Sequence, residues 1–215
     1  MSRQSHLAVL QQSGIVAVMR SQHGDRLVDA AEALLAGGVT VMEVTFTVPR
    51  AHRVLEQVAD RLGDNILLGA GTVLDAETAR IALLSGADFV VSPTVNARVI
   101  ELCRRYDKLV IPGALTPTEV VTAWEQGADV VKIFPSDSGG PAYLKALRGP
   151  LPQIRMMPTG GVNFETAAAF LHAGAFALGV GGALVDPQAV ADGKFDTIQQ
   201  RARQFVDVVR QARAC

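Results

Sequence analysis

A lysine and a glutamate stand inside two stretches of the sequence that are otherwise apolar. Lys132 lies in VVKIF, residues 130–134, and Glu43 lies in VMEVTF, residues 41–46. Both stretches have the β-branched and apolar composition of buried strands. Charged side chains are almost never fully buried unless they are paired. One explanation is a structural Lys–Glu ion pair, which adds little net stability compared with apolar side chains; the other explanation is catalysis.

The chemistry that a buried lysine supports is covalent catalysis through a Schiff base. Removal from water disfavours the ammonium form and lowers the pKa of the lysine. The neutral amine can then attack a ketone, and the resulting imine acts as an electron sink when a C–C bond is made or broken. The intermediates need a proton shuttle, and a carboxyl group whose pKa is raised by burial, such as Glu43, is suited to that task. Lys132 and Glu43 therefore suffice for an aldolase that uses no metal or other cofactor.

Other kinds of catalytic centre find less support. None of the four histidines falls within a strand candidate, and none has metal-ligand spacing beside a carboxylate. Cys103 lies in the helical pattern VIELCRRY, where we expect a buried core residue, and Cys215 is the last residue. We expect no metal site and no disulfide.

The elements that must position Lys132 and Glu43 are eight strand candidates, each followed by a helical pattern. The candidates are IVAVM (15–19), VMEVTF (41–46), ILLGAG (66–71), DFVVSP (88–93), LVIPG (109–113), VVKIF (130–134), IRMMPT (154–159) and ALGVG (177–181). Continuous apolar strands that alternate with helices are typical of a parallel sheet covered by helices. They predict an α/β fold, a (β/α)8 TIM barrel, as a single domain over residues 1–215, with a short N-terminal helix at about 3–12. A doubly wound sheet competes, but GIVAVMRSQHG lacks its glycine-rich turn.

The carboxyl ends of barrel strands carry the chemistry of this architecture. Two glycine turns follow adjacent late strands there, Thr159-Gly160-Gly161 and Gly181-Gly182. Backbone N–H groups at such turns can hold a phosphate, and barrels often bind phosphate between their last two loops. We therefore expect an anionic, phosphorylated substrate.

Composition excludes several other classes of function. The formal net charge is −1 and no Lys/Arg-rich run is present, so nothing indicates nucleic-acid binding. No apolar run approaches the roughly 20 residues of a membrane-spanning helix. The start, MSRQSHLAVLQQSG, has no signal-peptide pattern, and we expect a cytoplasmic protein.

A family resemblance rests on strings that occur in order along nearly the whole chain. They are EVTFT, GAGTVL, SP, IPG, KIFPS followed by GG, PTGGV and GVGGALV. The set resembles the class I aldolases of 2-keto-3-deoxy-6-phosphogluconate, a family that includes 4-hydroxy-2-oxoglutarate aldolase and a 6-phosphogalactonate branch. The resemblance implies reversible cleavage of a 2-keto-3-deoxy-6-phospho sugar acid into two small molecules, the keto acid pyruvate and the phosphorylated aldehyde glyceraldehyde 3-phosphate. It also implies a homotrimer.

The resemblance assigns roles to individual residues. It implies that Lys132 forms the Schiff base and that Glu43 is the general acid and base. Substrate-binding roles fall on Thr72 at the pyruvate carboxylate, on Pro93 and Phe134 as walls of the pyruvyl group, and on Thr159, Gly160, Gly161, Gly181 and Gly182 at the phosphate.

The chain departs from the family pattern at two positions. Thr47, which we expect among the substrate-binding residues, stands where the best-known members carry a carboxylate-binding arginine. We expect Arg20, at the end of the first strand, to take the place of that arginine, with Arg50 as a second candidate. Ala183 stands where a phosphate-binding serine follows the Gly-Gly pair. A missing hydroxyl hydrogen bond costs about 0.5–1.5 kcal/mol.

Several alternatives remain open at the level of sequence. The substrate could be the gluconate- or the galactonate-derived acid, which differ at one hydroxyl group. It could also be 4-hydroxy-2-oxoglutarate, which gives pyruvate and glyoxylate. A phosphate-binding barrel of another class, an epimerase or a non-catalytic keto-acid binder, is the remaining possibility.

Overall fold

Each of the eight expected strand segments forms parallel β-structure in the computed structural model, which describes residues 2–214. The strands are β1 (Ile15–Met19), β2 (Val41–Thr45), β3 (Leu67–Gly71), β4 (Phe89–Val91), β5 (Leu109–Ile111), β6 (Gly113–Ala114), β7 (Val131–Ile133), β8 (Met156–Pro158) and β9 (Leu178–Val180). The segment LVIPG is divided into β5 and β6 at Pro112, which has no N–H group for a strand ladder.

The strands form a ring in the order expected of a barrel. Six of them pair in the order β5-β4-β3-β2-β1-β9, and three pair in the order β6-β7-β8. The chain itself links β5 to β6 through Pro112, and a parallel bridge between Thr159 and Gly179 joins the other two ends. The (β/α)8 prediction is therefore confirmed.

Ten α-helices lie among residues 2–214. They are α1 (Arg3–Ser13), α2 (Leu27–Ala36), α3 (Ala51–Leu62), α4 (Ala76–Leu84), α5 (Ala97–Arg105), α6 (Pro117–Glu125), α7 (Gly140–Arg148), α8 (Ala167–His172), α9 (Pro187–Asp192) and α10 (Phe195–Ala214). The sequence explains several of the helix starts, because Ser2, Asp75, Asn96, Thr116 and Asp186 each accept a hydrogen bond from the first turn.

Strand alternation divides the apolar residues into two layers. One layer packs between strands and helices and includes Val44, Val131 and Ile133. The other fills the inside of the barrel and includes Val41 and Val130, with Leu10 of α1 at the amino-terminal end. The short N-terminal helix is thus confirmed, and it covers the bottom of the barrel.

The same alternation decides where the two charged strand residues point. Successive side chains of a strand face opposite sides of the sheet. Glu43 has the parity of Val41, and Lys132 has the parity of Val130, so both side chains project into the barrel above its apolar filling.

Two sequence expectations concern cysteine and the membrane. Cys103 is a free, fully buried thiol. Burial, with a smaller contribution from the Asp129 carboxylate, raises its pKa to about 12. Cys215 lies outside the described residues. None of the helices within residues 2–214 combines the length and the apolarity needed to span a bilayer.

Candidate active site

Lys132 occupies the middle of β7, between Gly113 of β6 and Met157 of β8. Its N–H group donates to the carbonyl of Pro112 at 2.9 Å. This hydrogen bond holds β7 against the residue that separates β5 from β6. The side chain is 7% exposed, and Nζ lies 4.7 Å from the centre of the Phe134 ring. Burial lowers the pKa of Lys132, the Glu43 carboxylate opposes that effect, and the Arg20 guanidinium adds to it. A larger fraction of this amine is therefore neutral and nucleophilic than of an exposed lysine at the same pH.

Glu43 is buried in the middle of β2, with 1% of its surface exposed. Burial raises its pKa, and the positive charges of Lys132 and Arg20 oppose that rise. Its Oε2 atom is buried without a hydrogen-bond partner. Buried polar atoms without a partner are rare and point to a functional role. The carboxyl group thus keeps one buried oxygen that no protein donor within residues 2–214 satisfies.

Lys132 and Glu43 influence each other electrostatically without direct contact. The ion pairs formed among residues 2–214 do not include this pair. The structural explanation therefore lacks the direct ion pair that it requires, and Glu43 Oε2 stays without a hydrogen-bond partner among the same residues.

Gly71 provides the space that the Glu43 carboxyl group occupies. A Cβ atom at position 71 would lie 2.5 Å from Oε1 and 2.8 Å from Cδ of Glu43, both too close for real contacts. Sequence reasoning did not single out Gly71, although a glycine inside a strand often marks such a close approach.

A cavity of about 580 Å³ opens at the carboxyl ends of the strands, above Lys132. Of the expected site residues, all except Glu43 and Thr47 line it. The lining consists of Val18, Arg20, Thr72, Pro93, Lys132, Phe134, Thr159, Gly160, Gly161, Val162, Gly179, Gly181, Gly182, Ala183, Val185 and Pro187. Arg20 and Lys132 are the only charged side chains of this lining, so the cavity suits an anion.

The two candidates for carboxylate binding are placed differently. Arg20 directly follows β1, lines the cavity and acts on the pKa of both Lys132 and Glu43. Arg50 lies outside the lining, at the start of α3. Thr47 is exposed and does not line the cavity; its hydroxyl pairs with the Thr45 hydroxyl at 2.8 Å. The structure therefore brings Arg20 into the site and leaves Thr47 and Arg50 outside its lining.

The turn Thr159-Gly160-Gly161 has all three of its carbonyl groups held by hydrogen bonds. The carbonyl of Thr159 accepts from Ser136 N at 2.9 Å, that of Gly160 accepts from Ser136 Oγ at 2.5 Å, and that of Gly161 accepts from Thr166 Oγ1 at 2.7 Å. No hydrogen bond within residues 2–214 uses the N–H groups of Gly161 or Val162. Two backbone donors are thus left free beside the cavity.

The second glycine turn offers further free donors. The carbonyl of Gly181 accepts from Leu184 N at 2.9 Å and from Val185 N at 2.8 Å. Within the described part of the chain, the N–H groups of Gly182 and Ala183 donate to no protein atom. The buried hydroxyl of Thr159 also lacks a partner. Together these groups form a pocket of donors suited to an anion.

Comparison with known proteins shows which family the chain matches. The family model "Aldolase: KDPG and KHG aldolase" matches residues 7–201. A 2-dehydro-3-deoxy-phosphogluconate aldolase of Treponema pallidum is 36% identical over 202 residues, which are 93% of this chain and 95% of that protein. A 2-dehydro-3-deoxy-6-phosphogalactonate aldolase of Escherichia coli is 33% identical, over 92% and 95% of the two chains.

A solved structure adds a chemical observation on a relative. The KDPG aldolase of Legionella pneumophila, solved with pyruvate captured as a covalent carbinolamine intermediate, superposes with a TM-score of 0.86 and 29% identity. The match covers 92% of this chain and 96% of that chain.

Proposed function

This chain belongs to the KDPG and KHG aldolase family, and from that premise we propose that it cleaves 2-keto-3-deoxy-6-phosphogluconate, or its 6-phosphogalactonate epimer, to pyruvate and glyceraldehyde 3-phosphate through a Schiff base on Lys132. The protein is an aldolase, a lyase that acts on small keto-acid and aldehyde substrates. The observation that carries the proposal is the buried Lys132 beside an unpaired, buried Glu43 at one end of an anion-suited cavity.

The first half of the reaction builds the iminium ion. Neutral Lys132 Nζ attacks the C2 ketone, and the carbonyl oxygen takes up a proton to give a carbinolamine. The Glu43 carboxyl group, whose pKa is raised by burial, gives a proton to the carbinolamine hydroxyl, which leaves as water. The products of this half are a positively charged imine on Lys132 and the Glu43 carboxylate.

The second half breaks the C3–C4 bond. The Glu43 carboxylate removes the proton of the C4 hydroxyl, the C3–C4 electron pair moves towards the iminium nitrogen, and the aldehyde departs. The remaining enamine takes a proton at C3 from Glu43, and water then releases pyruvate and regenerates Lys132. Atoms and charges balance without a redox step.

The substrate is oriented by the charges and donors at the two ends of the cavity. Arg20 is suited to bind the carboxylate next to the reacting ketone, with Thr72 beside it and with Pro93 and Phe134 against the pyruvyl group. The N–H groups of Gly161, Val162, Gly182 and Ala183 are suited to the phosphate.

A second candidate substrate is 4-hydroxy-2-oxoglutarate, which yields pyruvate and glyoxylate. Ala183 lines the cavity without a hydroxyl group, so the phosphate end offers backbone donors where a side-chain donor is missing. The two substrates share the Lys132 chemistry and differ only at this end.

We also propose that the protein is a homotrimer located in the cytoplasm. Apolar side chains on and before α4 support self-association, because Leu74, Ile81 and Leu84 are 54%, 48% and 69% exposed. Light scattering on the purified protein tests the trimer, and a monomer at micromolar concentration would contradict it.

The catalytic proposal is tested by pyruvate release from three acids, the two phosphorylated epimers and 4-hydroxy-2-oxoglutarate. We expect at least one phosphorylated epimer to give the highest kcat/KM, with no loss of rate in a chelator. Lys132→Met serves as the inactive control. Preference for 4-hydroxy-2-oxoglutarate would favour the second candidate, and pyruvate release from none of the three would overturn the proposal.

A further inference from the structure

Ser136 links the loop after the lysine strand to the first glycine turn. It lies four residues after Lys132, at the start of a short 3-10 helix, Ser136–Ser138, and is 2% exposed. Its N–H group donates to the carbonyl of Thr159, and its hydroxyl donates to the carbonyl of Gly160. One residue therefore holds two consecutive peptide groups of the neighbouring loop.

The hydroxyl of Ser136 determines which way the Gly160–Gly161 peptide faces. In a trans peptide the C=O and the following N–H point in opposite directions. Because the Gly160 carbonyl is held on the Ser136 side, the N–H of Gly161 points away from Ser136. Gly161 lines the cavity, and this N–H has no protein acceptor among residues 2–214.

The glycines of this turn need such a restraint. Gly160 and Gly161 have φ of +91° and +69°, in the region that glycine enters easily. The same freedom lets a glycine peptide rotate between several orientations. A buried hydrogen bond to one carbonyl selects a single orientation before any ligand arrives.

The restraint matters more in this chain because most donors at the phosphate end are backbone N–H groups. Ala183 offers no hydroxyl, and the cavity lining holds no cation besides Arg20 and Lys132. A phosphate here depends on backbone N–H groups, so the orientation of each one counts.

We propose that Ser136 is a positioning residue for the phosphate end of the substrate, acting through the Gly160–Gly161 peptide and not on the reacting atoms. This inference rests on the proposed function, since it assigns a residue to the recognition of a phosphorylated substrate. The lysine chemistry is independent of it, because the Ser136 hydroxyl donates to the Gly160 carbonyl and not to Lys132 or Glu43.

The test compares Ser136→Ala with a matched control, Ser138→Ala. Both side chains donate a hydrogen bond to a backbone carbonyl from the same short helix, but Ser138 bonds to Pro135 within its own loop. We measure KM and kcat for the preferred phosphorylated acid and for 4-hydroxy-2-oxoglutarate, together with competitive inhibition by inorganic phosphate.

For Ser136→Ala we expect KM for the phosphorylated acid and the inhibition constant for phosphate to rise about tenfold. This is the effect of losing one hydrogen bond to a charged group, here the bond from the Gly161 N–H group to the phosphate. We expect kcat and the KM for 4-hydroxy-2-oxoglutarate to stay within about twofold, since its second carboxyl group is attached directly to C4 and extends less far than the C6 phosphate. Ser138→Ala is expected to match the wild type. Ser136→Cys, a weaker donor of similar size, is expected to give an intermediate KM and covers the case in which the alanine variant is unstable.

Equal losses on both substrates, or no change on either, would overturn the inference while leaving the aldolase proposal intact. Phosphate that does not inhibit the wild-type protein, together with a wild-type preference for 4-hydroxy-2-oxoglutarate, would overturn the phosphate half of the proposed function and this inference with it. In both cases the capture of pyruvate by Lys132 is a separate readout that reports on the chemistry alone.

Discussion

Gly71→Ala is expected to disable catalysis without altering any residue that touches the substrate. The added Cβ would lie 2.5 Å from Glu43 Oε1, whereas ordinary contact begins at 3.4 Å. The carboxyl group must therefore move by about 0.9 Å, because the alanine Cβ is fixed to the strand backbone. A misplacement of about 1 Å costs roughly 10²-fold in rate. Overpacking of this kind also costs about 1–3 kcal/mol of stability.

The assay separates the displaced carboxyl group from general damage. We expect kcat for aldol cleavage to fall about 100-fold, while the thermal melt stays cooperative with a lowered Tm. Gly149→Ala is the matched control, because Gly149 has α-helical dihedrals and its nearest Cβ contact would be an ordinary 3.5 Å. This control is expected to keep full activity.

A double-mutant cycle tests the cause directly. In a Glu43→Ala background the carboxyl group is gone, and the nearest atom to the new Cβ is then Thr45 Cγ2 at 3.2 Å. Gly71→Ala should then add little further loss of stability or rate, which makes the two changes non-additive. Additive effects, or a fully active Gly71→Ala protein, would refute the placement of the Glu43 carboxyl group.

Three further predictions concern the charged residues of the site. Lys132→Met is expected to raise the free energy of unfolding by about 0.5–2 kcal/mol while abolishing turnover. Because the pKa of Lys132 is lowered on folding, this gain in stability should shrink as pH rises towards 10.5. Denaturant unfolding at several pH values measures the gain, and a variant less stable than the wild type would contradict the prediction. Glu43→Gln removes a carboxyl group whose pKa in the folded protein lies above 4.5 and whose ionisation therefore destabilises the fold as pH rises. The Tm of the variant minus that of the wild type should increase as pH rises from 4.5, and a Tm difference that does not change with pH would contradict the raised pKa. Arg20→Gln removes a charge that lowers the pKa of Lys132, so the rising limb of the pH–rate profile should move to higher pH; an unmoved limb would show that Arg20 does not act on the lysine.

Much of the barrel could be predicted from the sequence because each strand is a short apolar run that can be recognised without knowing its neighbours. The continuous apolar segments between glycine-ended helices gave all eight strand positions, and strand parity alone places Lys132 and Glu43 on the inner face. The division of LVIPG at Pro112 was not predicted, although the missing N–H of proline explains it.

The parts of the site that escaped prediction depend on distances between segments far apart in sequence. The clearance that Gly71 gives Glu43 joins β3 to β2, and the Ser136–Gly160 hydrogen bond joins residues 24 positions apart. The sequence favoured Arg20 over Arg50, but it could not show that Thr47 lies outside the cavity lining, because that depends on which way the side chain points.

Reduction by sodium borohydride in the presence of pyruvate, followed by peptide mass spectrometry, tests the central claim most directly. We expect a stable pyruvate-derived adduct on the peptide that contains Lys132, and its loss in Lys132→Met. A folded wild-type protein that gives no adduct, or gives one only at an exposed lysine such as Lys145 or Lys194, would contradict the account.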